Sequence, residues 1–500
     1  MEDFKMRNRI NGIAKSVAFL AILAISLYYI NRTFVPKYIY KNSIWPTTSS
    51  YNQFYKMDKD SVDVLFFGSS VAVNAFSPQE IYNNYGIRSY NLGSEQQSVF
   101  LSYYWLKEAL RFQSPKAVVL DTKFLFELHP ENPINTTEGL TRKCLDPMKW
   151  SRVKAEAVSA LCEIDSEQSE LSYYLTNIRF HTRWESLTEY DILYKEVQTA
   201  ELKGYSPIEE YGPDTYNTYT FGGDFETAAA PHMIMKEYLD KMTELCKEEG
   251  ISFILVSLPG NDMNDSINNM LSSYAEEYKV DYYNLCETEM YNSIGAILPR
   301  ESMIGHENLW GSIKMSKFIG KMLSEDYGIS AVKDYQYEAT RDYYEHIIKN
   351  CELSHITDIN EYLQIINDDK YTIFISVSGD SSAGLTEEIN QNLKSLGINN
   401  DFEGKYGWSY CAVISPETGI NEETGAEKVM CQGSIRNRKT FYSISSMGEV
   451  SGSSGSSIVI DWEEYSKNSR GMNIVVYDNS LMKVVDAVCY NTSGDCVAVR

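Results

Sequence analysis

The sequence lacks an excess of positive charge. It carries 45 Lys and Arg residues against 69 Asp and Glu residues, which gives a formal net charge of -24 over 500 residues. A protein that binds nucleic-acid phosphates needs a basic stripe or patch, and no such stripe is visible in the sequence. We therefore expect no nucleic-acid partner.

The nine cysteines lack a metal-binding pattern. They run from Cys144 to Cys496 without the Cys-x-x-Cys or Cys/His spacing of zinc sites, so we expect no metal and no cofactor. An odd number leaves at least one free thiol. Cys489 and Cys496 are close enough in sequence to form a disulfide, but spacing alone does not show that they do, and the redox compartment stays open.

Charge is absent from a long apolar run near the N-terminus, Ser16–Ile30. With its apolar flanks, the run approaches the roughly 20 residues that span a bilayer. It ends in bulky residues, including Tyr28 and Tyr29, whereas a cleavable signal ends in a small-x-small pattern. We therefore predict an uncleaved anchor within residues 1–34. A buried helix is less favoured, because a helix that is apolar on every face at the N-terminus has little to pack against.

Basic residues flank this run on both sides, and they bear on its orientation. Those before it are Lys5, Arg7, Arg9 and Lys15, and those after it are Arg32, Lys37 and Lys41. The balance slightly favours a cytoplasmic N-terminus. We predict a single-pass protein of the cell membrane with its globular domains outside the cell.

Strands and helices alternate between residues 35 and 330. Strands separated by helices predict a doubly wound, mostly parallel α/β sheet. Residues 122–230 interrupt the alternation as an insertion, which either shapes a substrate cleft or forms a solvated surface excursion. Residues 335–500 differ in pattern and predict a separate α+β domain that contains a hairpin over residues 473–490.

Two short stretches carry the candidate chemistry. VDVLFFGSS, at Val62–Ser70, is typical of a buried strand that ends in a tight turn and exposes Ser70 at the C-terminal edge of the sheet. HENLWGSIK begins at His306 and precedes a helix. A serine needs a base to accept its proton and donors to stabilise an oxyanion. We predict Ser70 as nucleophile, His306 as base and Gly93 as a backbone oxyanion donor.

Taken singly, a Gly-Ser-Ser turn is usually only a turn, and a loop histidine is usually structural. Their joint placement in one α/β domain favours an active site.

Four blocks in this order resemble those of SGNH/GDSL hydrolases: FFGSSVAVNAFSPQEIY, YNLGS, AVVLD and HENLWGSIK. The pattern is most similar to the membrane-anchored, DltD-like branch that acts in polysaccharide O-acetylation. The resemblance covers about residues 36–325. It implies an SGNH-type sheet, with Ser70 as nucleophile, Gly93 as oxyanion donor and His306 as base. The FHTRW segment also resembles one in that branch, which makes His181 and Arg183 candidate substrate-binding residues.

The sequence departs from that pattern at two positions. The family has an aspartate three residues before the histidine, where this chain has Met303, so a backbone carbonyl or Glu301 would have to orient the imidazole. The oxyanion asparagine expected after the third strand is replaced by Asp121-Thr122-Lys123. Asn261 could substitute for it if its loop turns inward.

The C-terminal domain contains YTIFISV at Tyr371–Val377, a helix over Thr386–Leu396 capped by Gly397, Ser409-Tyr410, and the stretches NIVVYD and KVVDAV within residues 473–490. These motifs resemble the ILEI/PANDER-like domain, which implies a carbohydrate-binding accessory. Two hypotheses follow for the whole chain. In the first, the protein is an SGNH-type O-acyltransferase or esterase that transfers or removes an acyl group, expected to be acetyl, on a cell-surface polysaccharide. By resemblance, its partner would be a polytopic membrane O-acyltransferase. In the second, the domain is catalytically inactive and holds glycan near that partner.

Overall fold

The computed structural model describes the chain as two compact units, Met1–Asp342 and Tyr343–Arg500. The described residues are 2–36, 47–187, 189–192, 201–210, 219–260, 262–295, 301–303, 305–436 and 438–500. The division falls inside the helix Tyr335–Leu353. The first residues of the predicted C-terminal domain therefore belong to the first unit.

The first unit is built on a five-stranded sheet, in which every pairing is parallel. The strand order is β2-β1-β3-β4-β5. In chain order these strands are β1 (Val64–Phe67), β2 (Ser89–Asn91), β3 (Ala117–Asp121), β4 (Ser252–Ser257) and β5 (Asp281–Asn284). The predicted doubly wound parallel sheet is confirmed. Its order reverses between β1 and β3, and ligands of such sheets bind at the carboxyl ends of the strands at this switch point.

Helices cover both faces of this sheet. Successive side chains of a strand point to opposite faces, so each face of the sheet packs against its own layer of helices. Leu65 and Phe67 of β1 lie in one apolar cluster, whereas Val64 and Phe66 lie in the other. The helices of the first unit are α1 (Glu2–Phe34), α2 (Thr47–Phe54), α3 (Ser70–Ala75), α4 (Pro78–Tyr85), α5 (Val99–Ala109), α6 (Glu138–Leu145), α7 (Arg152–Ile164), α8 (Glu170–Tyr174), α9 (Asn177–Phe180), α10 (Glu189–Ile192), α11 (Met233–Glu249), α12 (Asp265–Tyr278), α13 (Thr288–Ser293) and α14 (Leu309–Glu325).

A short antiparallel hairpin precedes α14. It consists of β6 (Ser302–Met303) and β7 (His306–Glu307). The insertion, predicted over residues 122–230, is largely helical where it is described, with α6 to α10 and a 3-10 helix over His181–Glu185.

Helix α1 contains the apolar run. Within its segment Asn11–Phe34, the most apolar stretch of 18 residues has a mean hydropathy of 2.0, and none of this stretch is buried. This helix is long and apolar enough to cross a membrane.

The described residues of the second unit form a ten-stranded mixed sheet beside three α-helices, the first of which begins in the first unit. Its central path is β14-β13-β12-β8-β15-β16-β17, with β9, β10 and β11 attached beside it. The helices are α15 (Tyr335–Leu353), α16 (Ile359–Ile366) and α17 (Glu387–Ser395). The strands are β8 (Tyr371–Gly379), β9 (Ser409–Ser415), β10 (Gly419–Gly425), β11 (Val429–Ile435), β12 (Thr440–Gly448), β13 (Gly455–Ile460), β14 (Glu463–Glu464), β15 (Gly471–Asp478), β16 (Lys483–Tyr490) and β17 (Ala498–Val499). The predicted hairpin is confirmed as β15 and β16.

Candidate active site

The Ser70 hydroxyl and the His306 imidazole meet at the switch point of the sheet. Ser70 Oγ lies 2.7 Å from His306 Nε2, although 236 positions separate the two residues in sequence. Both side chains are only partly buried, so a ligand can reach them. At this distance Nε2 can accept the hydroxyl proton, which is the geometry that a general base requires.

The turn before Ser70 depends on a glycine and on a buried aspartate. Gly68 has φ +137°, and a Cβ there would lie 2.5 Å from the Cβ of Asp121. Asp121 Oδ2 accepts from Ser69 Oγ at 2.7 Å and from the Ser69 N–H at 3.2 Å. Ser69 Oγ in turn accepts from the Val71 N–H and caps α3. These bonds fix the backbone on which the Ser70 hydroxyl is displayed.

The hairpin that carries His306 is held by the asparagine and glycine of the H-x-N-x-x-G pattern. The Asn308 N–H donates to Glu301 O at 3.1 Å, and its side chain accepts from the Gly311 N–H at the start of α14. A Cβ at Gly311 would lie 2.5 Å from Glu301 O. Glycine is therefore required where the helix crosses the hairpin.

A segment that the sequence did not single out joins the two halves of the site. Residues 203–210 run from β2 past α3 to the start of α14. The Ser206 N–H donates to Val73 O at 3.2 Å, and Ser206 O accepts from Asn74 Nδ2 at 2.6 Å. At its far end, Glu210 O accepts from Asn308 Nδ2 at 3.0 Å. The nucleophile helix and the histidine hairpin are thus tied to the same strip of chain.

Gly93 lies against the nucleophile turn, but its N–H is engaged. It donates to Asn91 Oδ1 at 3.0 Å, while Asn91 Nδ2 donates to Ala72 O and Phe76 O of the α3 region. For the Gly93 N–H to donate to a substrate oxyanion, its hydrogen bond to Asn91 Oδ1 has to break first. Ser70 is the first residue of α3, so its own N–H lies outside the helical hydrogen-bond pattern, and no acceptor for it is found among the described residues.

Of the three remaining candidate residues, the structure describes His181 and Arg183. His181 is exposed, and its Nδ1 lies 3.0 Å from Ile178 O. Arg183 donates to Phe34 O at 2.7 Å and to Asp191 Oδ1 at 2.7 Å. The contacts found for these two residues within the described chain join them to the end of α1 and to their own segment. None of these contacts is with Ser70 or His306. Asn261 lies outside the described residues, and its predicted role stays a prediction.

A buried carboxyl next to His306 was not foreseen. Glu307 is fully buried, and neither carboxyl oxygen has a hydrogen-bond partner on another residue of the described chain. Burial, together with the charge of Asp121, raises the pKa of Glu307 to about 8, against smaller opposing effects of its own N–H and of Lys123. Met303 lies opposite His306 in the hairpin, and the Glu301 carboxylate accepts from Lys314 Nζ.

No family model matches the chain, and no curated protein matches it. Among solved structures, a GDSL-like lipase from Bacteroides thetaiotaomicron aligns with 57% of this chain and 100% of its own, at 13% sequence identity and a TM-score of 0.26. A likeness at this level establishes neither a shared fold nor a shared activity. The functional argument below therefore depends on the geometry of the site.

We predict that Gly204→Ala disrupts the strip that joins α3 to the hairpin. Gly204 has φ +85°, and a Cβ there would lie 1.7 Å from Asn91 O. The clash and the strained backbone together should cost about 2 kcal/mol or more. Thermal unfolding of the full chain in detergent measures the loss. Gly223→Ala is the matched control, because Gly223 has φ +96° and no atom within 4 Å of its added Cβ. Equal melting temperatures for the two variants would contradict the prediction.

We predict that Glu307→Gln changes how stability depends on pH. The folded carboxyl keeps its proton up to about pH 8, whereas its ordinary pKa is 4.5, so wild-type stability falls as pH rises between these values. Below about pH 4.5 the Glu307 carboxyl is protonated in both the folded and the unfolded chain. The amide cannot ionise, so the variant should gain melting temperature relative to wild type as pH rises from 5 to 8.5. Parallel pH profiles for the two proteins would refute the assignment.

Proposed function

We propose that this protein is a serine-dependent esterase-type enzyme in which Ser70 is the nucleophile and His306 the general base. The observation that carries the proposal is the 2.7 Å separation between Ser70 Oγ and His306 Nε2 at the switch point of the sheet. Ser70 Oγ attacks an acyl carbonyl while its proton passes to Nε2. The imidazolium then returns that proton to the departing oxygen, which leaves an acyl group on Ser70.

The acceptor in the second step decides between hydrolysis and transfer. Water would release the acid, and a sugar hydroxyl would take the acyl group as a new ester. In either case Nε2 accepts the proton of the attacking oxygen and returns it to Ser70 Oγ. We propose transfer of an acyl group, expected to be acetyl, to or from a cell-surface polysaccharide. The hydropathy and length of α1 support a protein held in the membrane. The proposed partner there is a polytopic membrane O-acyltransferase.

A second candidate function is glycan binding without catalysis. Met303 stands where the resembled pattern has an aspartate, and the Gly93 N–H is engaged by Asn91. The family's aspartate is a group that orients the histidine and strengthens it as a base, and methionine cannot do this; an oxyanion with fewer donors is also less stabilised. These two features favour slow turnover or none.

We predict that a fluorophosphonate probe labels the wild-type chain in membranes and that Ser70→Ala abolishes the labelling. His306→Gln should slow labelling by about 10²-fold or more, because the hydroxyl loses its base. His129→Gln is the matched control and should label as wild type, since His129 lies against Phe124 and contacts neither site residue. In-gel fluorescence with time measures all four proteins.

Labelling that survives in Ser70→Ala would contradict the assignment of the nucleophile. Absence of labelling in the wild type, together with unchanged ester content of the surface polysaccharide in cells that carry Ser70→Ala, would favour the binding function.

A further inference from the structure

The C-terminal end of α1 is held by the insertion. Thr176 Oγ1 donates to Asn31 O at 3.4 Å, and the Asn177 N–H donates to Asn31 Oδ1 at 3.2 Å. Arg183 donates to Phe34 O at 2.7 Å. The insertion is therefore fixed at the point where a membrane-spanning α1 would leave the bilayer.

Large apolar side chains stand exposed beside these contacts. They are Ile178, Trp184 and Ile192, with exposed fractions of 42%, 66% and 66%. Ile178 follows Asn177 and Trp184 follows Arg183, and both Asn177 and Arg183 bond to the end of α1. Ile192 follows Asp191, which is the ion-pair partner of Arg183. Because consecutive Cα atoms are about 3.8 Å apart, all three lie at the level of the helix end.

We propose that Ile178, Trp184 and Ile192 form a juxtamembrane surface that inserts into the headgroup boundary of the bilayer. The proposal rests on the membrane anchoring included in the proposed function. Tryptophan is enriched at this depth because its ring is apolar and its N–H is polar, and isoleucine gains from leaving water. The surface lies next to the end of α1, whose apolar span is not buried, so a lipid bilayer is the partner that fits it.

The charges near this surface indicate which lipids it needs. Arg179 pairs with Glu138 at 2.7 Å, and Arg183 pairs with Asp191 at 2.7 Å. Since both guanidinium groups already face carboxylates, attraction to anionic headgroups contributes little. Contact with the bilayer should therefore depend on apolar burial, and neutral phosphatidylcholine should suffice.

Photocrosslinking of the full chain in phosphatidylcholine nanodiscs tests the surface. Benzoylphenylalanine replaces Trp184 in one protein and Trp462 in a matched control, since Trp462 is 91% exposed in the second unit. A third protein carries it at Leu20, on the exposed face of α1. Lipid adducts are counted by mass spectrometry after irradiation.

We expect lipid adducts at positions 184 and 20 in several-fold excess over position 462, with no further gain when anionic phosphatidylglycerol is added. If position 20 gives lipid adducts but position 184 gives no more than position 462, the juxtamembrane surface is wrong and the membrane anchoring stands. Crosslinking of position 184 mainly to protein would also overturn that surface. Absence of adducts at position 20 would overturn the membrane anchoring as well.

A separate observation concerns two buried thiols in the second unit. Cys411 on β9 and Cys431 on β11 are both buried, and their Sγ atoms lie 2.8 Å apart. A disulfide bond measures about 2.05 Å, so closure needs a movement of less than about 1 Å. Cys489 and Cys496, the pair that sequence spacing left open, instead lie beside Ser469 O and Gly384 O respectively.

We infer that Cys411 and Cys431 form a disulfide when the chain folds in an oxidising environment. One thiolate attacks a disulfide oxidant, either a small-molecule disulfide or an oxidoreductase, and releases its first thiol. The other cysteine then attacks the mixed disulfide and releases the second thiol. Two cysteine thiols are oxidised and one external disulfide is reduced, so electrons and protons balance.

Peptide mapping of the full chain, refolded with oxidised glutathione and alkylated in denaturant, tests the pairing. We expect a peptide that links Cys411 to Cys431 and disappears on reduction. Cys411→Ser should leave Cys431 alkylated, whereas Cys489→Ser should keep the link. Alkylation of both Cys411 and Cys431 in the oxidised wild type would overturn the inference.

Discussion

The site depends on one hydrogen bond, between Ser70 Oγ and His306 Nε2. The two residues reach each other because a parallel sheet brings the ends of its strands to one edge, and because each residue sits on a rigid support. Ser70 is fixed by the Gly68 turn and its packing on Asp121. His306 is fixed by a hairpin that Asn308 holds, and the strip at residues 203–210 contacts both supports.

Two carboxyl groups lie on the supports of this bond. Asp121 accepts from the Ser69 hydroxyl and N–H, where it orders the turn. Glu307, which follows His306 in the sequence, is buried with a raised pKa, so near neutral pH it is largely protonated. The proposed chemistry therefore depends on the contact between Ser70 and His306.

Local signals in the sequence were enough for the sheet, and they singled out two residues whose side chains lie 2.7 Å apart in the structure. Ser77 followed by Pro78 is typical of a helix start, and α4 begins there with Ser77 Oγ accepting from the Glu80 N–H; the helix ends at Gly86 in the left-handed conformation. Such features involve residues a few positions apart, and their physics is local. The strip at residues 203–210 and the buried Glu307 could not be predicted, because each acquires its role from residues about a hundred or more positions away. For Arg183 a motif suggested a substrate contact; the structure shows it bonded to the end of α1, and its predicted role stays a prediction.

The central claim is that the Ser70 hydroxyl is activated by His306 for attack on an acyl carbonyl. A structure of the full chain after reaction with a phosphonate ester tests it most directly, because the adduct imitates the tetrahedral intermediate. The account predicts phosphorus bonded to Ser70 Oγ, the phosphoryl oxygen facing the Ser70 N–H, and His306 Nε2 within hydrogen-bond distance of the ester oxygens. Phosphorus on another residue, or an imidazole turned away from a modified Ser70, would contradict it.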